Sequence, residues 1–294
     1  MRFYIKIVFL FLSLLFIAPA AIAQDKNEGN STKKEKKKKK RKYKLPDIDL
    51  SHWKVTIPAG DPAEVEPPEI LDYATNETLM PYMFNDSTRG ALVFYAVPNA
   101  TTANTKYSRS ELREQMEPGN NNVNWTFKQG GKMKGRLAMG EVSKGKDGKY
   151  HKVMIMQIHG RLTNEQRDLI GQKDNNAPPI LKIYWQNGKI RVKTKQLKDL
   201  SMSDTDILRT GSWIDDKGFN FEEKVDFRPF DLEVKVSEGK LVVSLNKTEY
   251  AVYDDIHIEK WGVFENYFKA GNYFQTRDEG AHAEVKYFSL EVSH

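Results

Sequence analysis

The chain's 294 residues, 39% of them hydrophobic and 11% aromatic, suffice for one large domain or two small ones with a sizeable core. The absence of cysteine excludes zinc–thiolate sites, thiol nucleophiles and lipid anchoring through an N-terminal cysteine, and a domain of this size needs no disulfide. The net charge of +6 is uneven: residues 1–45 hold 13 Lys/Arg and 3 Asp/Glu, a balance of +10, leaving 33 and 37 in the remainder, a balance of −4.

At the N-terminus, Arg2 and Lys6 precede an apolar run from Ile7 to Ile17, and Ala21-Ile22-Ala23 stands before Gln24. A basic start, a short apolar stretch and a small-residue ending describe a secretory signal peptide over residues 1–23. The run falls short of the roughly 20 apolar residues that a membrane-spanning helix needs. The protein is therefore expected to be secreted or periplasmic. Residues 24–44 are polar and lysine-rich, with Lys36–Lys42 interrupted only by Arg41. They read as a disordered charged linker, either a solvated spacer or a tether to an acidic glycan or membrane surface. Nucleic-acid binding would rest on this tail alone and is not expected.

Residues 45–294 read as a single domain built from short alternating segments and turn signals, the pattern of an all-β sandwich or barrel. Asn187-Gly188 sits between Ile180–Gln186 and Lys189–Lys195, and Glu238-Gly239 between Asp231–Val236 and Lys240–Leu245. Both are hairpin signals. Residues 61–72, with Pro62, Pro67 and Pro68, read as a loop or short helix, and residues 164–180 as a surface loop. Any polyanion bound by this slightly acidic domain must meet a local cluster of cations.

Three segments carry a polar stripe at period two. Arg109, Glu111 and Arg113 fall on one face of a strand, with Ser110, Leu112 and Glu114 behind. In Val153–His159, the residues Val153, Ile155, Gln157 and His159 share a face. In Tyr267–Gln275, the residues Tyr267, Lys269, Gly271, Tyr273 and Gln275 share one, with Phe268, Ala270, Asn272 and Phe274 behind. Singly, each stripe reads as a solvent face with weak cross-strand pairs. Together they supply what is needed to hold a carboxylate and move a proton.

These segments resemble the alginate lyases of polysaccharide lyase family 7. Arg109–Arg113 fits that family's R-(S/T)-E-L-R motif, Gln157-Ile158-His159 its Q-(I/V)-H, and Tyr267–Gln275 its Y-F-K-A-G-x-Y-x-Q, in the same order. Asp49–Lys54 resembles the family's domain opening, so the likeness runs from about residue 47 to the C-terminus. Phe274 departs from the family's more usual polar residue. The resemblance implies a β-jelly roll of two antiparallel sheets with a concave substrate groove. It also implies catalysis by Arg109, Gln157, His159 and Tyr273, with Glu111, Arg113, Lys269 and Gln275 lining the groove or supporting those groups.

The implied reaction is β-elimination from alginate, leaving a 4,5-unsaturated uronate end. Arg109 and Gln157 would bind the C6 carboxylate and stabilise the enolate-like charge of the transition state. His159 would take the C5 proton when it lies opposite the leaving group, as in guluronate. Tyr273 would protonate O4, and would serve both roles in mannuronate. Lys269, Arg109 and Arg113 are expected to lower the Tyr273 pKa. Isoleucine in the Q-x-H motif implies some preference for guluronate blocks, and an open groove implies endolytic cutting by a monomer. No cofactor or metal is expected, since the six His show no pair at helical ligand spacing. The alternatives are a non-catalytic carbohydrate-binding module or a lyase for another polyuronate such as glucuronan. A glycoside hydrolase would need two opposed carboxylates, and the stripes offer only Glu111.

Overall fold

The computed structural model describes residues 44–99, 101 and 105–294. The expected signal peptide, and all of the expected linker but Lys44, lie outside the described residues.

Period-two alternation of apolar side chains gives strands that each bury one face, and two such sheets close over a common core. The groove-bearing sheet runs Trp213–Asp215, Lys189–Leu197, Asn176–Gln186, Val153–Arg161, Glu265–Phe274, Arg109–Glu114, Trp53–Ile57, Ala63–Val65 in spatial order. The sheet behind it runs Glu249–Tyr253, Lys240–Leu245, Phe230–Ser237, Gly131–Val142, Ala283–Ser293, Ala91–Ala96, Met83–Asp86. Pairing is antiparallel except where Asp47–Ile48 runs parallel to Ala283–Ser293. This is the expected β-jelly roll. Between the sheets lie Phe94, Trp125, Phe268, Phe274 and Tyr287, all buried. Phe274, the departure from the family motif, is thus a core residue.

Both hairpins form as read. Gln186 pairs with Lys189 around Asn187 (φ 50°) and Gly188 (φ 83°), the double left-handed geometry that Asn-Gly favours. Ser237 pairs with Lys240, with only Gly239 at positive φ.

The 164–180 expectation needs correction. Asn164–Leu169 is a helix, and a strand already begins at Asn176. Thr163 accepts from the Gln166 amide while the Gln166 side chain accepts from the Thr163 amide, a reciprocal capping box. Thr-x-x-Gln was visible in the sequence; the polar composition around it masked the signal. Residues 61–72 hold a three-residue strand, Ala63–Val65, and a 3-10 turn at Glu69–Asp72.

The Val153–His159 stripe also needs correction. Val153, Ile155, Met156 and Ile158 all belong to the core, whereas His159 lines the groove and Gln157 stands opposite Lys269 on the same side. Ile155 is paired on neither side: pairing steps from Met156 to Met154 against Ile183–Tyr184 on one neighbour, and against Ala270 and Tyr273 on the other. This bulge shifts the alternation by one, so Met154 rather than Val153 or Ile155 takes the groove side. On the facing strand, Gly271 and Asn272 stand against Ile155 alone.

Gly271 sits at φ 138°, and a Cβ there would lie 2.7 Å from the Ser110 carbonyl oxygen and 2.9 Å from the Glu111 Cα. Gly239, at φ 67°, has open space around it. Gly271→Ala is expected to lose about 1–3 kcal/mol or more through strain that packed backbone cannot relieve, and Gly239→Ala about 1–2 kcal/mol. Urea unfolding of the two variants checks the order; equal losses would contradict it.

Candidate active site

Register places the polar side chains in rows that cross the strands. Lys54 stands opposite Arg113, Arg113 opposite Lys269, Lys269 opposite Gln157, Gln157 opposite Lys182, and Lys182 opposite Lys193. Beside this row runs a second: Arg109, Tyr273, Met154, Tyr184, Arg191. Like charges directly opposed across a sheet are destabilising, so a face built this way needs compensating anions or a bound one. The groove above encloses about 880 Å³ and is lined by seven Lys/Arg, including Arg109, Arg113, Lys195 and Lys269, against Glu64 and Asp174. The local cation cluster demanded by the acidic domain is here.

Three carboxylates compensate part of the charge. Glu64 pairs with Lys54 at 2.5 Å. Asp215 pairs with Lys182 at 2.5 Å and Lys195 at 2.8 Å. Glu111 lies at the centre with no exposed surface. It meets Lys269 Nζ at 2.5 Å and Arg109 Nη1 at 3.1 Å, and accepts from Gln157 Nε2 at 2.5 Å. Burial alone would raise its pKa, but Lys269 and Arg109 outweigh that and hold it below the usual carboxylate range. Glu111, expected among the groove-lining groups, therefore offers no surface of its own; it binds together three side chains that do the facing. Gln157 keeps a second amide N–H, and Arg109 has donors beyond the one given to Glu111.

His159 stacks on Tyr267 at 5.3 Å, with its Nδ1 3.0 Å from the Gly160 carbonyl oxygen. That contact assigns the proton to Nδ1 and leaves Nε2 as an acceptor. Burial, then the nearby Lys269 charge, lowers its pKa to about 3, so the imidazole is neutral at ordinary pH. The Arg113 guanidinium lies over the Tyr267 ring, 4.2 Å from Cζ to ring centroid. Arg113 also donates to the Glu114 and Asn121 carbonyls and to Asn124 Oδ1.

Tyr273 lies under the Arg109 guanidinium, 4.1 Å from Cζ to ring centroid. The expectation that cations depress its pKa is overturned. Burial raises it, and Arg109 offsets this only in part while Glu111 adds to it. Lys269 is neutralised by Glu111, and Arg113 is spent on Tyr267. The phenol is therefore protonated at neutral pH. Gln275 sits at the strand's far end and donates to the Tyr273 carbonyl, on the expected face but away from the Glu111 cluster.

The sequence reading missed one component. Lys189, Arg191, Lys193 and Lys195 form a four-cation stripe at period two, and Lys182 faces Gln157 from the strand between. Alternation in that hairpin was legible and would have extended the cationic face by two strands. Among the described residues no group of three or more His, Asp or Glu is placed to hold a metal ion.

Burial and the neighbouring Arg109 lower the Lys269 pKa to about 8, with Glu111 opposing. Lys269 is then charged below about pH 8 and loses its charge as pH rises through that value. An NMR titration of labelled lysine is expected to show one group with a midpoint near 8, moving lower in Glu111→Gln as the stabilising anion is removed. A Lys269 midpoint in the ordinary range near 10.4 would contradict this arrangement.

The alginate lyase family profile matches residues 48–294. Alginate lyase A1-II′, described as a member of polysaccharide lyase family 7, shares 30% identity over 84% of this chain and 96% of its own, with a TM-score of 0.65. Alginate lyase PA1167 from Pseudomonas aeruginosa shares 23% over 84% and 99%, with a TM-score of 0.62. The alginate lyase from a Corynebacterium species shares 22% over 86% and 99%, with a TM-score of 0.57. No curated protein gives a significant match. With its profile match, its sandwich and its Arg109–Gln157–His159–Tyr273 face, the chain belongs to the alginate lyases of polysaccharide lyase family 7 and is a polysaccharide lyase.

Proposed function

We propose that the groove binds alginate across the strands and cleaves it by β-elimination, as a secreted endolytic enzyme that favours guluronate-containing blocks. The observation that carries this reading is the cationic row from Lys54 to Lys193, broken only by Gln157. Six positions at the usual strand spacing of ~4.8 Å extend over roughly 24 Å. That spacing is close to the length of one sugar in an extended uronan. Cations on both sides of Gln157 suit a chain that passes through the site rather than ends in it, and this supports endolytic cutting.

At the centre, the free donors of Arg109 and Gln157 take the C6 carboxylate of one uronate and neutralise it, which makes the C5 proton removable. His159 Nε2 accepts that proton. The C5–H electron pair forms the C4=C5 double bond, the C4–O4 bond breaks, and the Tyr273 hydroxyl gives its proton to O4. The departing chain leaves with a free hydroxyl and the other product with an unsaturated end. Solvent then returns a proton to Tyr273 and removes one from His159.

Guluronate preference is supported by the resting protonation of the pair. A neutral imidazole and a protonated phenol are the base and acid required when the C5 proton and O4 lie on opposite sides. In mannuronate, Tyr273 would first have to lose its proton, against the raised pKa. A variant of A1-II′ with one His→Asn and one Tyr→Phe substitution is described in complex with substrate (GGMG), and a Tyr→Phe variant with product (GGG). Those residue types are the pair assigned here to His159 and Tyr273. The basic start, apolar run and Ala-x-Ala ending of residues 1–23 support secretion, and the Lys36–Lys42 run suits tethering to an acidic glycan.

Incubation with alginate is expected to raise ultraviolet absorbance from the conjugated uronate, faster on poly-guluronate than on poly-mannuronate. Viscosity should fall ahead of product count. Tyr273→Phe and His159→Ala should each lower kcat by about 10²–10⁴-fold on poly-guluronate. Binding without absorbance change would indicate a carbohydrate-binding module, and turnover of another polyuronate alone would overturn the substrate.

A further inference from the structure

Tyr287 belongs to Ala283–Ser293 in the sheet behind the groove, and its side chain is fully buried. Its ring packs edge-on against Phe94, 5.6 Å between centroids at 89°. Its hydroxyl reaches across the sandwich. It donates to the Ile155 carbonyl at 2.5 Å and accepts from the Gly271 N–H at 3.3 Å. Ile155 is the residue that the ladder leaves unpaired on both sides, and Gly271 is one of the two unpaired residues that face it on one of them. One phenol from the other sheet thus joins the two irregular points of adjacent groove strands.

Those irregularities decide what faces the groove. N-terminal to Ile155 the alternation changes phase, bringing Met154 beside Tyr273. C-terminal to it, Gln157 and His159 keep the phase of Lys269 and Tyr267. Tyr273 lies two residues beyond Gly271, past the contact. The distance from Tyr273 to the Gln157–His159 pair is therefore set by how the two bulges sit against each other.

We propose that Tyr287 is a positioning residue for the lyase reaction: its hydroxyl clasps the Ile155 and Gly271 bulges and thereby fixes Tyr273 relative to Gln157 and His159. The inference rests on the reading of Tyr273 as the proton donor. Without the hydroxyl, the Ile155 carbonyl loses this donor and the Gly271 N–H this acceptor, so the two bulges are free to shift against each other. A displacement of about 1 Å at a reacting group can cost on the order of 10²-fold in rate. Binding along the cationic row does not pass through this contact.

Tyr287→Phe keeps the ring against Phe94 and removes only the clasp. With poly-guluronate, kcat is expected to fall roughly 10–100-fold while KM stays within about twofold, the signature of a lost transition-state contact. A crystal structure of the variant should show the Tyr273 ring displaced from beneath the Arg109 guanidinium. Unchanged kcat with lowered thermal stability would make Tyr287 a packing residue and overturn the proposal, as would an unmoved Tyr273. An inactive wild type would instead sink the functional reading, and the crystallographic comparison would still decide the clasp.

Discussion

One buried carboxylate makes the groove possible. Glu111 has no exposed surface and is surrounded by Arg109, Lys269 and Gln157. An ion placed there is strongly unfavourable unless its partners are close and its lone pairs filled. Lys269 needs it equally, because Arg113 stands directly opposite on the adjacent strand. Glu111 lets two cations, Arg109 and Lys269, sit side by side in the sheet with part of their charge compensated. It also aims the Gln157 amide. The same field acts on the neighbouring imidazole and phenol: Lys269 helps keep His159 neutral, and Glu111 helps keep Tyr273 protonated.

Geometry is supplied from behind. A regular ladder would have left Val153 and Ile155 on the groove face and turned Met154 away. Instead a bulge at Ile155 and the glycine opposite it reset the phase, and both are held from the far sheet. Gly271 can occupy its place only without a side chain, since Ser110 and Glu111 backbone atoms fill that space. Strand number and core packing make the sandwich; the two bulges make it a site.

Much of this was legible in the sequence. Arg109–Arg113 and Tyr267–Gln275 keep strict alternation, so their faces were read correctly. Asn187-Gly188 announced its hairpin because few other pairs tolerate two left-handed residues in succession. Val153–His159 misled because a bulge leaves no mark in an apolar run: valine, isoleucine and methionine suit either face. The direction of the Tyr273 shift was misjudged because sequence spacing shows which cations are near but not which are already paired. Lys269 and Arg113 were counted as available when Glu111 and Tyr267 had claimed them. The helix after Thr163 was hidden by polar composition despite its capping signature.

On the proposed function, an extended uronan crosses the strands along the Lys54–Lys193 row, with one carboxylate between Arg109 and Gln157. The most direct measurement is a crystal structure of the Tyr273→Phe protein with a guluronate oligosaccharide. A carboxylate is expected on Arg109 and Gln157, with the C5 hydrogen facing His159 Nε2 and further carboxylates on Lys182 or Lys193 and on Arg113. A sugar chain running along the strands, or a carboxylate held elsewhere with His159 out of reach of C5, would contradict it.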